Sequence, residues 1–194
     1  MWQDKISLQV FITTLTPDLS TSKTRQALVP AKTNLLAATN DENGNFYFAV
    51  FTEGAETAND FVTLCKTGTN GQLILQKKLS SLKEDLDIWR IENYGGTMVY
   101  SKGVLGLFMG RRMNKGGDGL NHQVGIGVTF DANTLVQITN TGQTSGHSFD
   151  NFLTTNQEGD FIGMDLGDNY PRGINLHRMT KDSRSSRLVY TFKT

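Results

Sequence analysis

Apolar and polar positions alternate along most of the chain in short runs that end at Asn, Gly and Asp. This period of two predicts half-buried strands joined by tight turns. Lys5 to Thr13 is the first such run, followed by a Thr/Ser-rich connector from Thr16 to Thr24. Further on, a strand, a polar turn and a second strand recur in three places: Leu35 to Phe51, Ile88 to Tyr100 and Phe149 to Asp165. Asn40, Asn93 and Asn156 mark their turns. Each is followed by a second hairpin. These run from Phe61 to Leu79, turning at Thr69-Asn-Gly71; from His122 to Thr139, turning at Asp131-Ala-Asn133; and from Gly173 to Phe192, turning near Asp182-Ser183. Asn-Gly and Asp/Asn-rich turns supply the positive φ that tight hairpins need.

Four strands therefore recur with a period of roughly 50 to 60 residues, the layout of β-propeller blades. The expected organisation is an N-terminal strand and connector over 1–30, then repeats over about 31–86, 87–140 and 141–194. The stretch Gly103 to Gly119 reads as an insertion in the middle repeat. In Asn45 to Phe51 bulky residues crowd both faces, which predicts an inner strand covered on both sides. In Gly125-Ile-Gly-Val-Thr-Phe130 the glycines predict close backbone approach on one side. Ser80 to Leu86, with Ser81 and Glu84 at capping-box spacing, is expected to cross between the first two blades. The fold class is all-β, about three four-stranded propeller-like blades, with a β-sandwich or barrel as the alternative. Closed propellers typically need about four to eight blades. The expectation is thus a partial propeller from a longer chain, or one completed by self-association. A strand pattern that runs to Thr194 favours the former.

Composition narrows this picture. The 194 residues include 20 Gly and 3 Pro, and no long Ala/Glu/Lys/Leu block that would favour helices. Nineteen basic and nineteen acidic residues balance, which leaves no footprint for nonspecific binding to nucleic acid or a membrane surface. Cys65 is the single cysteine, so no intrachain disulfide and no Cys-rich zinc module is expected. It sits in the alternating run Phe61 to Lys66 and reads as a small core residue. With no signal-peptide pattern and no Asn-x-Ser/Thr acceptor, the chain leans towards a cytoplasmic protein.

Three strings carry a resemblance. They are Asp118-Gly-Leu-Asn-His-Gln123, Thr144-Ser-Gly-His-Ser-Phe149 and Asp165-Leu-Gly-Asp-Asn-Tyr-Pro-Arg-Gly-Ile174. Together they resemble a group of uncharacterised propeller-like proteins in which a Ser-Gly-His-Ser-Phe stretch precedes a Gly-Asp-x-Tyr-Pro-Arg stretch. The resemblance covers the C-terminal half. It implies a propeller fold in a longer chain, and it transfers no catalytic role to any residue because the group carries no established activity.

Candidate chemistry gathers at three places. His122 and His147, each beside a Gly-rich turn, would suit a divalent metal if they converge with Asp118 and Asp150, or, in an enzyme, with Asp165 and Asp168; the competing reading gives each imidazole a loop carbonyl to hold. Asp165, Asp168 and Arg172 would form either an acid/base or cation-binding group, or a structural turn and ion pair. Gly110-Arg-Arg-Met-Asn-Lys-Gly-Gly-Asp-Gly119 reads as a long irregular loop, in which Arg111, Arg112, Lys115 and Asp118 would line a ligand-binding surface. The aromatics, Trp2, Trp89, Phe46, Tyr47, Phe48, Phe51, Phe149, Phe152 and Phe161, read as core, with a carbohydrate-stacking platform as the alternative. No Gly-x-Ser-x-Gly elbow and no dinucleotide fingerprint is present. The expected function is a noncatalytic binding or assembly module whose partner is a copy of itself, the rest of a longer chain, or a protein or carbohydrate ligand. A metal-dependent propeller lyase or hydrolase and a structural component of a filament or scaffold are the alternatives.

Overall fold

A computed structural model of the chain describes residues 1–52, 61–79, 91–112, 123–142, 144, 151–167, 171–180 and 182–193. Every regular element among them is a β-strand. They divide into two compact units, residues 1–88 and 89–194.

The first unit contains β1 (Trp2–Gln3), β2 (Val10–Leu15) and β3 (Ser22–Ala27), then β4 (Asn34–Asn40), β5 (Phe46–Thr52), β6 (Phe61–Thr67) and β7 (Leu73–Leu79). Each set forms an antiparallel up-and-down sheet, ordered β1-β2-β3 and β4-β5-β6-β7. The expected connector over Thr16 to Thr24 is shorter than its composition indicates, since Ser22 onward is strand β3. Ser22 and Thr24 are exposed on an edge strand, a place that suits hydroxyl-bearing residues as well as a loop does. Val10, Ile12 and Ala27 of the small sheet pack on Phe46, Phe48, Val50 and Cys65 of the larger one. β5 is buried from Phe46 to Phe51, the inner strand that its two-faced apolar sequence predicts. Burial of Phe48 alone contributes about 2–3 kcal/mol. At the far edge, β7 carries Lys77 and Lys78, charges that oppose edge-to-edge pairing.

The second unit contains β8 (Ile91–Ser101), β9 (Val104–Arg112), β10 (Gln123–Asp131) and β11 (Gln137–Asn140), then β12 (Phe152–Thr155), β13 (Phe161–Gly167), β14 (Gly173–Met179) and β15 (Arg184–Thr191). They form two more antiparallel sheets, ordered β11-β10-β9-β8 and β12-β13-β14-β15. The three four-stranded sheets are the propeller-like blades expected from the repeats, and none of the sheets closes into a barrel.

The middle repeat differs in detail from its sequence reading. Ile88 to Tyr100 does not turn at Asn93; from Ile91 it is one strand, with an irregularity between Ile91 and Gly96. The first hairpin of this blade turns at Lys102-Gly103, with φ 49° and 83°, the two positive values of a tight two-residue turn. Val104 to Arg112, read as insertion, is therefore the blade's second strand. Alternation in Val-Leu-Gly-Leu-Phe-Met-Gly was masked by its glycines. Ser80 to Leu86 lies outside the described residues.

The turns themselves repeat. Between β4 and β5, Asp41 N–H donates to Asn45 O at 3.0 Å and Gly44 N–H to Asp41 O at 3.2 Å. Between β12 and β13, Asn156 N–H donates to Asp160 O at 3.0 Å and Gly159 N–H to Asn156 O at 3.1 Å. The residue equivalent to Asn156 is thus Asp41, one place beyond Asn40. A second turn also occurs twice. Asp4 Oδ1 accepts from Ile6 N, Ser7 N and Ser7 Oγ, as Asp131 Oδ1 accepts from Asn133 N, Thr134 N and Thr134 Oγ1. Leu8 and Leu135 follow with φ 56° and 54°. The carboxylate holds the turn in a shape that puts a leucine in the left-handed region at a cost of about 1–3 kcal/mol.

In the second unit the two sheets meet through glycine slots. A Cβ on Gly106 would lie 2.7 Å from Phe161 Cε1, and one on Gly127 2.8 Å from Met179 Sδ and Phe108 Cδ2. Phe108, Leu153, Phe161 and Met179 fill this interface. The alternating glycines of Gly125 to Phe130 admit side chains instead of the close backbone approach their spacing predicts: Thr144 Oγ1 stands over Gly125, and Met179 of the opposite sheet and Phe108 of the adjacent strand stand over Gly127.

Two predictions follow from these turns. Gly71 (φ 82°) sits where the β6–β7 turn meets β3, and a Cβ there would collide with the Gln26 carbonyl, whereas Gly103 (φ 83°) has nothing within 4 Å. Gly103→Ala should cost about 1 kcal/mol for backbone conformation, and Gly71→Ala about 2 kcal/mol more for the overlap, read by urea denaturation. Asp41 provides a pH test. Burial raises its carboxyl pKa, but hydrogen bonds from Asn45, Tyr47 and Asn43 outweigh this and leave it below the ordinary value. A depressed folded pKa contributes stability that is present above the unfolded pKa and lost as pH falls through the folded one. Asp41→Asn should therefore destabilise by about 1–2 kcal/mol at neutral pH, and the gap to wild type should shrink below about pH 4.

Candidate functional site

Of the residues singled out in the sequence, Lys115, Asp118, His122, His147, Asp150 and Asp168 lie outside the described residues. Arg111 and Arg112 end strand β9 instead of entering a loop, and Arg111 is buried. Burial lowers the pKa of its guanidinium. Gly110 pairs with Gly125 and Arg111 with Val124, so alternation directs Arg111 to the face opposite Gly110 and Gly125. Arg172 stands exposed just before β14. Among the described residues of this set, Asp165 lies in the interface between the two sheets, and it is 1% exposed.

Its neighbours are residues that the sequence reading did not assemble. On β13 the buried positions are Phe161, Gly163, Asp165 and Gly167. Across the ladder Gly163 pairs with His177, and His177 with Ser186. With no side chain on Gly163, the imidazole leans towards Asp165, which brings Nε2 to 3.2 Å from Oδ1. Its other nitrogen, Nδ1, is 2.8 Å from Ser186 Oγ. Phe108 stacks on the ring with centroids 5.6 Å apart. From the facing sheet, Gly125 leaves a gap on which three oxygens converge. A Cβ there would overlap Thr144 Oγ1 and lie 3.1 Å from Asp165 Oδ2 and 3.6 Å from Asn151 Oδ1. Two tethers hold this cap. Thr144 N–H donates to Gly125 O at 2.9 Å, and Thr97 Oγ1 donates to Asn151 O at 2.8 Å.

The polar atoms of this cluster are buried and unsatisfied. Both carboxylate oxygens of Asp165, His177 Nε2, Thr144 Oγ1 and both amide atoms of Asn151 lack a hydrogen-bond partner. The Asp165–His177 contact is within ion-pair distance but off the hydrogen-bond direction. Such atoms are rare in folded proteins, because each costs about 1–3 kcal/mol when left unmade. Ser186, His177 and Asp165 are also the residue types of an acyl-transfer triad. Ser186, however, meets Nδ1 and sits in the middle of regular strand β15, not at a strained elbow. Its hydroxyl is better suited to orienting the imidazole. The signal for this cluster was in the phase of alternation: Asp165 is in step with Phe161, and His177 with Met179. Among the described residues, no three His, Cys, Asp or Glu side chains gather in one place.

The other face of the same sheet is apolar and open. Phe152 pairs with Met164, and Met164 with Leu176; Leu166 pairs with Ile174, and Ile174 with Tyr190. Phe152 is 53%, Met164 37%, Leu166 41% and Tyr190 56% exposed. β15 is the last strand in the sheet's order, and Val189 and Phe192 are also exposed near its end.

The chain matches no protein-family model and no curated protein.

Cys65 takes no part in either feature. It is buried in the first unit's core, and burial pushes its thiol pKa up to about 12. It should resist Ellman's reagent in the native protein at pH 8 and react fully in guanidinium, so that the ratio of the two rates reports unfolding.

Proposed function

We propose that the chain is a noncatalytic binding and assembly module on a propeller-like scaffold, and that its last four-stranded sheet docks on the same sheet of a second copy. The carrying observation is the open row of Phe152, Met164, Leu166 and Tyr190, aligned in register with Ile174 and Leu176. Scattered exposed apolar residues are ordinary, but a contiguous face of this kind on a folded sheet marks an interaction surface. In both units apolar sheet faces pack against another sheet, and this face is built like those. A flat apolar face is self-complementary about a two-fold axis, which makes a closed dimer the simplest partner. The charges stand towards its margin: Arg178 pairs with Asp160, and Arg187 ends the Phe152-Met164-Leu176 row on the edge strand β15. That is the arrangement of an apolar centre with a polar rim.

Light scattering after size exclusion should give twice the 21.5 kDa of one chain. Met164→Glu places a charge at the centre of the patch and should weaken association about a hundredfold or more, ~3 kcal/mol, while leaving the thermal melt cooperative. A monomeric wild-type protein at tens of micromolar would refute the proposal. So would a dimer indifferent to Met164→Glu and to Phe152→Ser.

A further inference from the structure

The buried cluster on the inner face of the same sheet supports a separate inference that does not rest on self-association. We propose that Asp165, His177, Asn151 and Thr144 form a binding site for one divalent cation with a mixed nitrogen and oxygen shell, of the Mn²⁺ or Zn²⁺ type. Asp165 is 1% exposed and neither of its carboxyl oxygens has a hydrogen-bond partner, so the protein's own donors leave its ligand capacity unused. His177 does not fill it in either neutral tautomer. If Nδ1 carries the proton and donates to Ser186 Oγ, then Nε2 presents a bare lone pair to Asp165 Oδ1 at 3.2 Å, and the two repel. If Nε2 carries the proton, its N–H still points off the carboxylate oxygens. A cation between them removes the conflict.

The geometry agrees with this. Adjacent ligands in an octahedral shell with bonds near 2.1 Å stand roughly 3 Å apart, close to the observed 3.2 Å between Nε2 and Oδ1. Ser186 on Nδ1 is then the outer partner that fixes the tautomer and orients the ring, as metal-binding histidines normally require. The remaining oxygens, Thr144 Oγ1 and Asn151 Oδ1, stand with Asp165 Oδ2 around the gap at Gly125. One imidazole among carboxylate, amide and hydroxyl oxygens favours a borderline cation over Ca²⁺ or Mg²⁺, which prefer oxygen alone.

The test uses the whole chain, stripped with EDTA and titrated separately with MnCl₂, ZnCl₂ and CaCl₂ by calorimetry, with bound metal counted by mass spectrometry after desalting. The expected result is one Mn²⁺ or Zn²⁺ per chain and a melting temperature raised by several degrees. Asp165→Asn and His177→Gln should abolish binding. Ser186→Ala, which removes no ligand, should weaken it about tenfold or more. Gly125→Ala removes no ligand either; its methyl group enters the gap and should also abolish binding. Each variant is first checked for a cooperative melt, and Ser186→Ala, on an exposed strand, provides the reading if a core variant does not fold. If no metal binds and the ¹⁵N shifts of His177 show an imidazolium, a proton holds the pair and the proposal is wrong. Binding of Ca²⁺ alone, unaffected by His177→Gln, would also overturn it. Loss of the dimer with the metal site intact, or the reverse, tells failure of one proposal from failure of the other.

Discussion

A four-stranded meander with bulky residues on both faces must be covered on both faces, and the rest of this structure follows from that constraint. β5 shows it most directly, with six consecutive buried residues from Phe46 to Phe51. A strand of that kind cannot belong to a sheet with one wet side. It needs the small N-terminal sheet, through Val10 and Ile12, on one face. The same demand in the second unit brings the β8–β11 and β12–β15 sheets together, and there it is met by shape. Side chains on one sheet enter positions where the other has glycine, Phe161 at Gly106, Met179 at Gly127 and Phe108 at Gly163. Glycine weakens a strand in isolation, so these residues are favourable only because the opposing sheet fills the space.

The same device brings the polar cluster inside. His177, opposite Gly163 in the ladder, reaches across to Asp165 beneath the Phe108 ring that fills the space over Gly163, and Gly125 leaves room for Thr144 and Asn151 to close over the pair. Apolar side chains in place of Asp165, His177, Thr144 and Asn151 would give a drier interface. What stands there instead is a charge, an imidazole, an amide and a hydroxyl whose bonding capacity is mostly unused. Natural cores carry few such atoms. Where they gather on one gap, a missing partner is a simpler account than several independent defects.

How much of this could be read in advance depended on which physical signal a residue obeyed. The outer repeats were legible because Gly44 and Gly159 supply the positive φ of hairpin turns that local chemistry specifies. The middle repeat was misread because its turn, Lys102-Gly103, is shorter and less polar than Glu92-Asn-Tyr-Gly-Gly96, which lies inside β8. Pairing with β9 overrode a strong local turn signal. The glycines of Val104 to Arg112, which serve packing between sheets, looked like loop. At the candidate site, Asp165 was picked out because it is acidic and near other polar residues. Its actual companions, His177, Ser186, Thr144 and Asn151, reach it through ladder register and sheet-to-sheet packing. Neither is visible in linear spacing.

The β12–β15 sheet thus has two dissimilar faces: an inner one with too many polar groups for a core, and an outer one with too many apolar groups for solvent. Alternation makes the two inseparable in design, since Met164 and Leu166 flank Asp165 and Leu176 and Arg178 flank His177. A one-residue slip of β13 would exchange them, putting the carboxylate outside and Met164 in the core. Register is therefore what protects the cluster. Gly163 against His177 and Asp165 against Asn175 are direct pairs in that register. Arg184 also reaches from β15 to the Asn140 carbonyl of the neighbouring sheet at 2.8 Å and pins the far edge. An occupant of the inner site would tighten this registry, because it binds ligands from both sides of the inter-sheet gap. A partner on the outer face would do the same by covering the residues that a slip would bury. The two faces would then stabilise one arrangement of the same four strands, and binding on either side would favour binding on the other.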